Sequence, residues 1–113
     1  MRKKARMADA RLPRPGPFRV QTRCEGDALL IQASGELDVA TVGPLTEELG
    51  AAEAQGTKRI VLDLSRLEFI DVSGVAAVVA AKRSAKLNRH NFELVGATRD
   101  VARVVELCGL QSW

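Results

Sequence analysis

The sequence predicts one α/β domain built on a four-stranded mixed sheet with helices packed largely on one side, in the order β-β-α-β-α-β-α. Three observations carry this reading. At 113 residues the chain is long enough for one hydrophobic core and short for two. Apolar residues make up 46% of it and aromatics only 4%, so the core has to be built from Val, Leu, Ile and Ala. After an opening pair of strand-like runs, strands and helices alternate, which calls for right-handed crossovers and parallel strands.

Phe18 to Cys24 alternates as a strand, with Phe18, Val20, Thr22 and Cys24 on one face. Glu25-Gly26-Asp27 supplies turn chemistry, and Ala28 to Gly35 resumes as a second strand, so an antiparallel hairpin is expected. Gly35-Glu36-Leu37-Asp38 closes that strand. Pro44 suits the first helical position, because its missing N–H would have no intrahelical partner there. Leu45, Leu49 and Ala52 then recur at helical spacing, and Gly56 is placed as a left-handed helix stop. Lys58 to Leu64 has the aliphatic, β-branched centre of a strand covered on both faces or lying centrally in the sheet. Ser65-Arg66-Leu67-Glu68 is read as a link to Phe69-Ile70.

The next helix is expected from Ser73 to Asn88, apolar all round in its first half and therefore buried there, basic and emerging in its second. Arg89-His90-Asn91 turns the chain into a last strand, Phe92 to Gly96. Thr98 is the expected N-cap of the final helix, with Asp100 at the positive end of its dipole and Val101, Val104, Val105 and Cys108 as its apolar stripe. Gly109 is expected to stop that helix, and Leu110 and Trp113 to fold back on it.

The junction Phe69-Ile70-Asp71-Val72-Ser73-Gly74-Val75 is where function is placed. Ser73 reads as a helix N-cap, its hydroxyl accepting from free N–H groups of the first turn, and Gly74 as leaving the backbone open to close approach by another molecule.

Composition removes several classes of function. Residues 1–17 hold six Lys/Arg against one acid, Asp9, which leaves eleven basic and thirteen acidic side chains for residues 18–113. The folded part is thus slightly acidic, and the basic charge sits in an arm. That distribution argues against a nucleic-acid surface on the domain. Leu12-Pro13-Arg14-Pro15-Gly16-Pro17 denies the backbone donors and helical dihedrals, so 1–17 is expected to be a disordered basic, proline-rich arm and 18–113 the domain. No run is long and apolar enough for a bilayer span, and the basic start has no apolar stretch behind it. A cytoplasmic location without membrane attachment is the expectation. Cys24 and Cys108 are read as buried or half-buried free thiols, and with His90 the single histidine no metal site or cofactor is expected.

Four signatures stand in order along 18–113: Gly35-Glu36-Leu37-Asp38, Ile60-Val61-Leu62-Asp63-Leu64-Ser65, the Phe69–Val75 junction and Glu106-Leu107-Cys108-Gly109-Leu110. Together they resemble the STAS domain family, specifically bacterial anti-sigma factor antagonists. The resemblance implies a non-enzymatic, phosphoprotein regulator of transcription and stress response that works by partner switching, with Ser73 as the phosphorylation site. The unphosphorylated form would bind an anti-sigma factor that is itself an ATP-dependent serine kinase. Phosphorylation would release it, and a metal-dependent serine phosphatase would reset the cycle. Asp38, Asp71, Val72, Ser73, Gly74 and Val75 are the expected partner-binding residues. The family's frequent second serine before the phosphoacceptor is here Val72, and the glycine common at the Arg89-His90-Asn91 turn is missing.

Three other readings stay beside this one. An aspartyl phosphoacceptor at Asp63 would need clustered acids for a divalent metal and a lysine at a later strand end, which the sequence from Phe92 to Thr98 lacks. A hydrolase using Ser73 would need a general base in reach, and His90 lies beyond a helix over ~20 Å long. A STAS scaffold or transporter accessory subunit would use Ser73 as a cap only.

Overall fold

The structure, a computed structural model, describes residues 18–108. The expectations for the arm at 1–17 and for Gly109, Leu110 and Trp113 lie outside the described residues. The elements run β1 (Arg19–Glu25), β2 (Ala28–Leu37), α1 (Val42–Ala54), β3 (Arg59–Ile70), α2 (Val72–Asn88), β4 (Asn91–Val95) and α3 (Arg99–Leu107). They form a four-stranded sheet in the order β1-β2-β3-β4. β1 is antiparallel to β2, while β2–β3 and β3–β4 are parallel. The hairpin closes with Glu25 opposite Ala28, and Gly26 takes the positive φ of 61° that a two-residue turn needs at its first position.

One core holds the layers together. Ile31, Ala33 and Leu37 of β2 and Ile60, Leu62 and Leu64 of β3 turn the same face of the sheet toward Leu45, Leu49, Val78, Val101 and Val105 of the three helices. The opposite face carries Gln32 and Asp63 and the exposed Arg59–Glu93 ion pair at 3.2 Å. β3 is therefore central, and helices cover only one of its faces.

β3 is also longer than expected, running unbroken for 12 residues through the segment read as a link. Pairing with β2 shifts between Gln32 and Ser34 and again between Gly35 and Glu36, each time placing one extra residue on β3. Those bulges reset the alternation. Leu64, Leu67 and Ile70, three residues apart, consequently all face the helices and are at most 2% exposed.

Helix boundaries follow from caps. α1 begins at Val42 behind Thr41, so Pro44 sits at the third helical position, not the first; its missing N–H is still among those with no intrahelical acceptor. Its end is a Schellman motif: Gly56 at φ 77° donates to the Glu53 carbonyl (3.0 Å) and Thr57 to that of Ala52 (3.1 Å). α3 is capped as expected, Thr98 Oγ1 accepting from the Val101 N–H at 3.3 Å. Its stripe is shorter than expected, since Val101 and Val105 are buried but Cys108 is exposed. Cys24 is exposed too, and both thiols are free. α2 is not buried all round: Gly74, Val75 and Val78 face the core, whereas Ala76 and Ala80 are exposed. Small side chains make this tolerable, because an alanine exposes little apolar area.

Candidate docking rim

The parallel pairing of β2 and β3 brings two strand ends to the same edge. Leu37 is opposite Ile70, and the Asp71 N–H donates to the Leu37 carbonyl at 3.1 Å. Asp38 and Asp71 are thereby neighbours, each the first residue past its strand.

Both acids organise the backbone that follows. Asp38 Oδ1 accepts from the N–H groups of Ala40 (2.9 Å) and Thr41 (3.1 Å), and the Asp38 carbonyl accepts from Val42 N–H (2.9 Å). Thr41 Oγ1 accepts from the Asp38 N–H (2.9 Å) and donates to the Glu36 carbonyl (2.7 Å). Asp38 is therefore the turn into α1. Asp71 does the same for α2: its Oδ1 accepts from the Gly74 N–H at 3.1 Å and its carbonyl from Val75 N–H at 3.0 Å.

Asp71, not Ser73, is thus the N-cap. The helix starts two residues earlier than an N-cap at Ser73 would give, because the sheet fixes Asp71 in extended geometry (φ −112°, ψ −172°) at the helix entrance. Ser73 becomes a half-buried residue of the first turn. Its hydroxyl is not committed to capping, and it lies beside the positive end of the helix dipole, where an anion is favoured.

Gly74 and Val75 fall on the inner side. A Cβ at Gly74 would lie 2.6 Å from Ile70 Cγ1 and 2.9 Å from Leu37 Cγ, so the close approach that glycine permits here is made by the protein's own core. Val75 is 3% exposed. Neither offers a side chain to a partner. The rim's outward surface instead comes from Asp38, Asp71, Val72 and Ser73, joined by Val39, which sequence reasoning passed over, and by Phe69, which it placed in the junction but not among the partner-binding residues. Val39, Val72 and Phe69 are 75%, 72% and 47% exposed. Side-chain parity was the available signal for Phe69, which precedes the buried Ile70.

The other candidates lie elsewhere. Asp63 does not end its strand; it sits within β3 on the face without helices. Its burial opposes ionisation, but hydrogen bonds from the Ser65 N–H and hydroxyl and from Gln32, with Arg66 nearby, outweigh that and hold the carboxyl below its usual range. Oδ1 accepts from Ser65 N–H at 2.8 Å and Oδ2 from Gln32 Nε2 at 3.1 Å, which makes Asp63 a structural tie between strands. His90 follows the far end of the 17-residue α2, a full helix length from Ser73, with Nε2 3.1 Å from Glu53 Oε2. No helix among the described residues is long and apolar enough to cross a membrane.

The fold and this rim define a small α/β module whose distinctive surface is the start of one helix at the ends of two parallel strands. The chain belongs to the STAS domain family, whose model matches residues 19–113. An anti-sigma-B factor antagonist of Staphylococcus epidermidis is 26% identical over 92 residues, covering 81% of this chain and 85% of the relative. The crystal structure of an anti-sigma factor antagonist from Mycobacterium paratuberculosis superposes with a TM-score of 0.78 at 25% identity, covering 88% of this chain and 84% of that one. The anti-sigma factor antagonist SpoIIAA in its unphosphorylated form gives a TM-score of 0.70 at 25% identity over 83% of this chain and 82% of its own. Its phosphorylated form, from Bacillus, gives 0.66 at 25% identity over 83% and 85%.

Proposed function

We propose that this chain is an anti-sigma factor antagonist that works by partner switching, with Ser73 as the phosphoacceptor and the rim around it as the docking surface. One observation carries the proposal: Ser73 stands in the first turn of α2, released from capping by Asp71 and next to the exposed Val72. The unphosphorylated rim offers exposed apolar side chains, Val72 and Val39, next to Asp71 and Asp38 to an anti-sigma factor. Curated relatives bearing that function, and a similar protein solved in both phosphorylation states, support the assignment.

Phosphorylation adds about −1.5 to −2 charges at pH 7. At the N-terminus of α2 the fold tolerates this charge, because the helix dipole favours it. The partner does not: the added charge joins Asp38 and Asp71 beside an apolar contact that must be desolvated. A loss of ~3 kcal/mol lowers affinity more than a hundredfold. The partner is then an anti-sigma factor with serine kinase activity, and a metal-dependent serine phosphatase restores the binding form.

Incubation of the chain with ATP, Mg²⁺ and the kinase-type anti-sigma factors of its host, followed by peptide mass spectrometry, tests the assignment. One phosphate on Ser73, absent from Ser73→Ala, is the expected result. No phosphate with any candidate, together with unchanged partner binding by Ser73→Glu, would reduce the rim to a scaffold surface of the kind a transporter or signalling complex uses.

A further inference from the structure

The first half of α2 carries more apolar surface than the core uses. Gly74, Val75 and Val78 face the core, yet Val72, Ala76, Val79 and Ala80 recur at the i, i+4, i+7, i+8 spacing of a second apolar stripe. Val72 is 72% exposed, Ala76 and Ala80 are exposed, and Val79 is half-buried. Together with Val75, Arg83 and Cys108 this stripe lines an open groove of about 340 Å³. We propose that the occupant of the groove is the chain's own segment Gly109-Leu110-Gln111-Ser112-Trp113, with the Trp113 indole laid on Ala76, Val79 and Ala80.

The place where the chain leaves α3 selects that occupant. Cys108 caps α3 and is itself part of the groove wall, so the segment that follows starts at the site. Five extended residues span up to ~17 Å. The stripe from Val72 to Ala80 is only about 12 Å long on a helix, so all of it is in reach. Gly109 stands directly after the cap, and glycine is the residue that takes the left-handed conformation by which a chain turns back at a helix end.

The chemistry of the segment matches the wall. It has no charged side chain, and it holds two large apolar ones, Leu110 and the single tryptophan of the chain. Covering an indole removes ~150–250 Å² from water. The alanines at 76 and 80 leave room for the ring where longer side chains would fill the groove. Arg83 is the one charged residue among the described lining residues, and a guanidinium is attracted to the face of an indole. The consequence reaches the rim: Val72 begins the stripe and adjoins Ser73, so the seated segment confines the exposed apolar surface of α2 to its first turn.

The chain has one tryptophan and no tyrosine, so fluorescence excited in the indole band reports Trp113 alone. The full chain is expected to emit at shorter wavelength in buffer than in urea and to resist acrylamide quenching severalfold better. Nuclear Overhauser contacts should run from the indole to the methyl groups of Ala76, Val79 and Ala80. Ala76→Glu puts a charge into the groove at an exposed position and should return emission and quenching to their urea values, with helix content by circular dichroism unchanged. Ala51→Glu, on the exposed surface of α1, should leave both as in the parent. An indole as accessible in buffer as in urea, contacts to Val104 of α3 in place of those to α2, or emission indifferent to Ala76→Glu would each overturn the proposal. The Overhauser contacts of the unsubstituted chain decide the matter even if Ala76→Glu does not fold.

Discussion

Replacing Gly74 with alanine should destabilise the domain, although the position is helical and alanine is the better helix former. The added Cβ would meet Ile70 Cγ1 at 2.6 Å, Leu37 Cγ at 2.9 Å and Leu37 Cδ2 at 3.0 Å. Leu37 and Ile70 are 0% and 2% exposed, so neither has free space to move into. Overpacking of this kind costs ~1–3 kcal/mol. The helix-propensity gain offsets at most about 1 kcal/mol, and less in a first turn. Contacts this short to two buried side chains place the cost in the upper half of that range, so a net loss of ~1–2 kcal/mol remains, lowering Tm by roughly 4–16 °C in a domain of this size. Gly50→Ala is the internal control, because nothing lies within 4 Å of a Cβ there. It should raise stability by up to ~1 kcal/mol. Urea unfolding of the three proteins separates the effects. If Gly74→Ala were as stable as the parent, the reasoning that α2 is wedged against the ends of β2 and β3 would fail.

Three further outcomes follow from single side chains. Arg89 caps α2 at φ 60° where glycine would be unstrained, so Arg89→Gly should raise stability by ~0.5–1 kcal/mol, read as a higher Tm. Asp71→Ala removes the oxygen that caps Gly74 N–H and should cost ~1 kcal/mol in urea unfolding, with Asp71→Ser retaining most of it. Asp63 has a lowered pKa in the folded state, so its charge stabilises the fold above the unfolded pKa, and this is lost as pH falls through the folded value. Asp63→Asn should accordingly be less stable than the parent at neutral pH, by ~1 kcal/mol or less for a partly solvated group. The difference should begin to shrink below about pH 4 and close only once pH has fallen through the lowered folded-state pKa, read in a pH series of thermal melts.

Much of this architecture was legible in the sequence because local signals agreed with one another. The hairpin turn at Gly26, the stop at Gly56 and the cap at Thr98 each sit where their backbone chemistry requires. The misread positions are those decided by contacts distant in sequence. Ser65 to Glu68 looks like a link because its apolar spacing breaks the period of two; only pairing with β2 turns the break into two bulges. Asp71 and Ser73 are equally good caps in isolation, and the hydrogen bond from Asp71 N–H to the Leu37 carbonyl is what selects Asp71. Gly74 reads as open backbone until Leu37 and Ile70 are brought against it. Val39 reads as an ordinary apolar residue until the rim leaves it exposed, and the pairing of His90 with Glu53 spans 37 positions that no local pattern connects.

The most direct test of the central claim is calorimetric titration of the cognate anti-sigma factor with two forms of this chain, one unmodified and one carrying phosphoserine at position 73, with thermal unfolding of each measured in parallel. The account predicts an affinity loss of a hundredfold or more for the phosphorylated form, with its Tm essentially unchanged. Equal affinities, or a loss of binding that merely tracks unfolding of the phosphorylated domain, would contradict it.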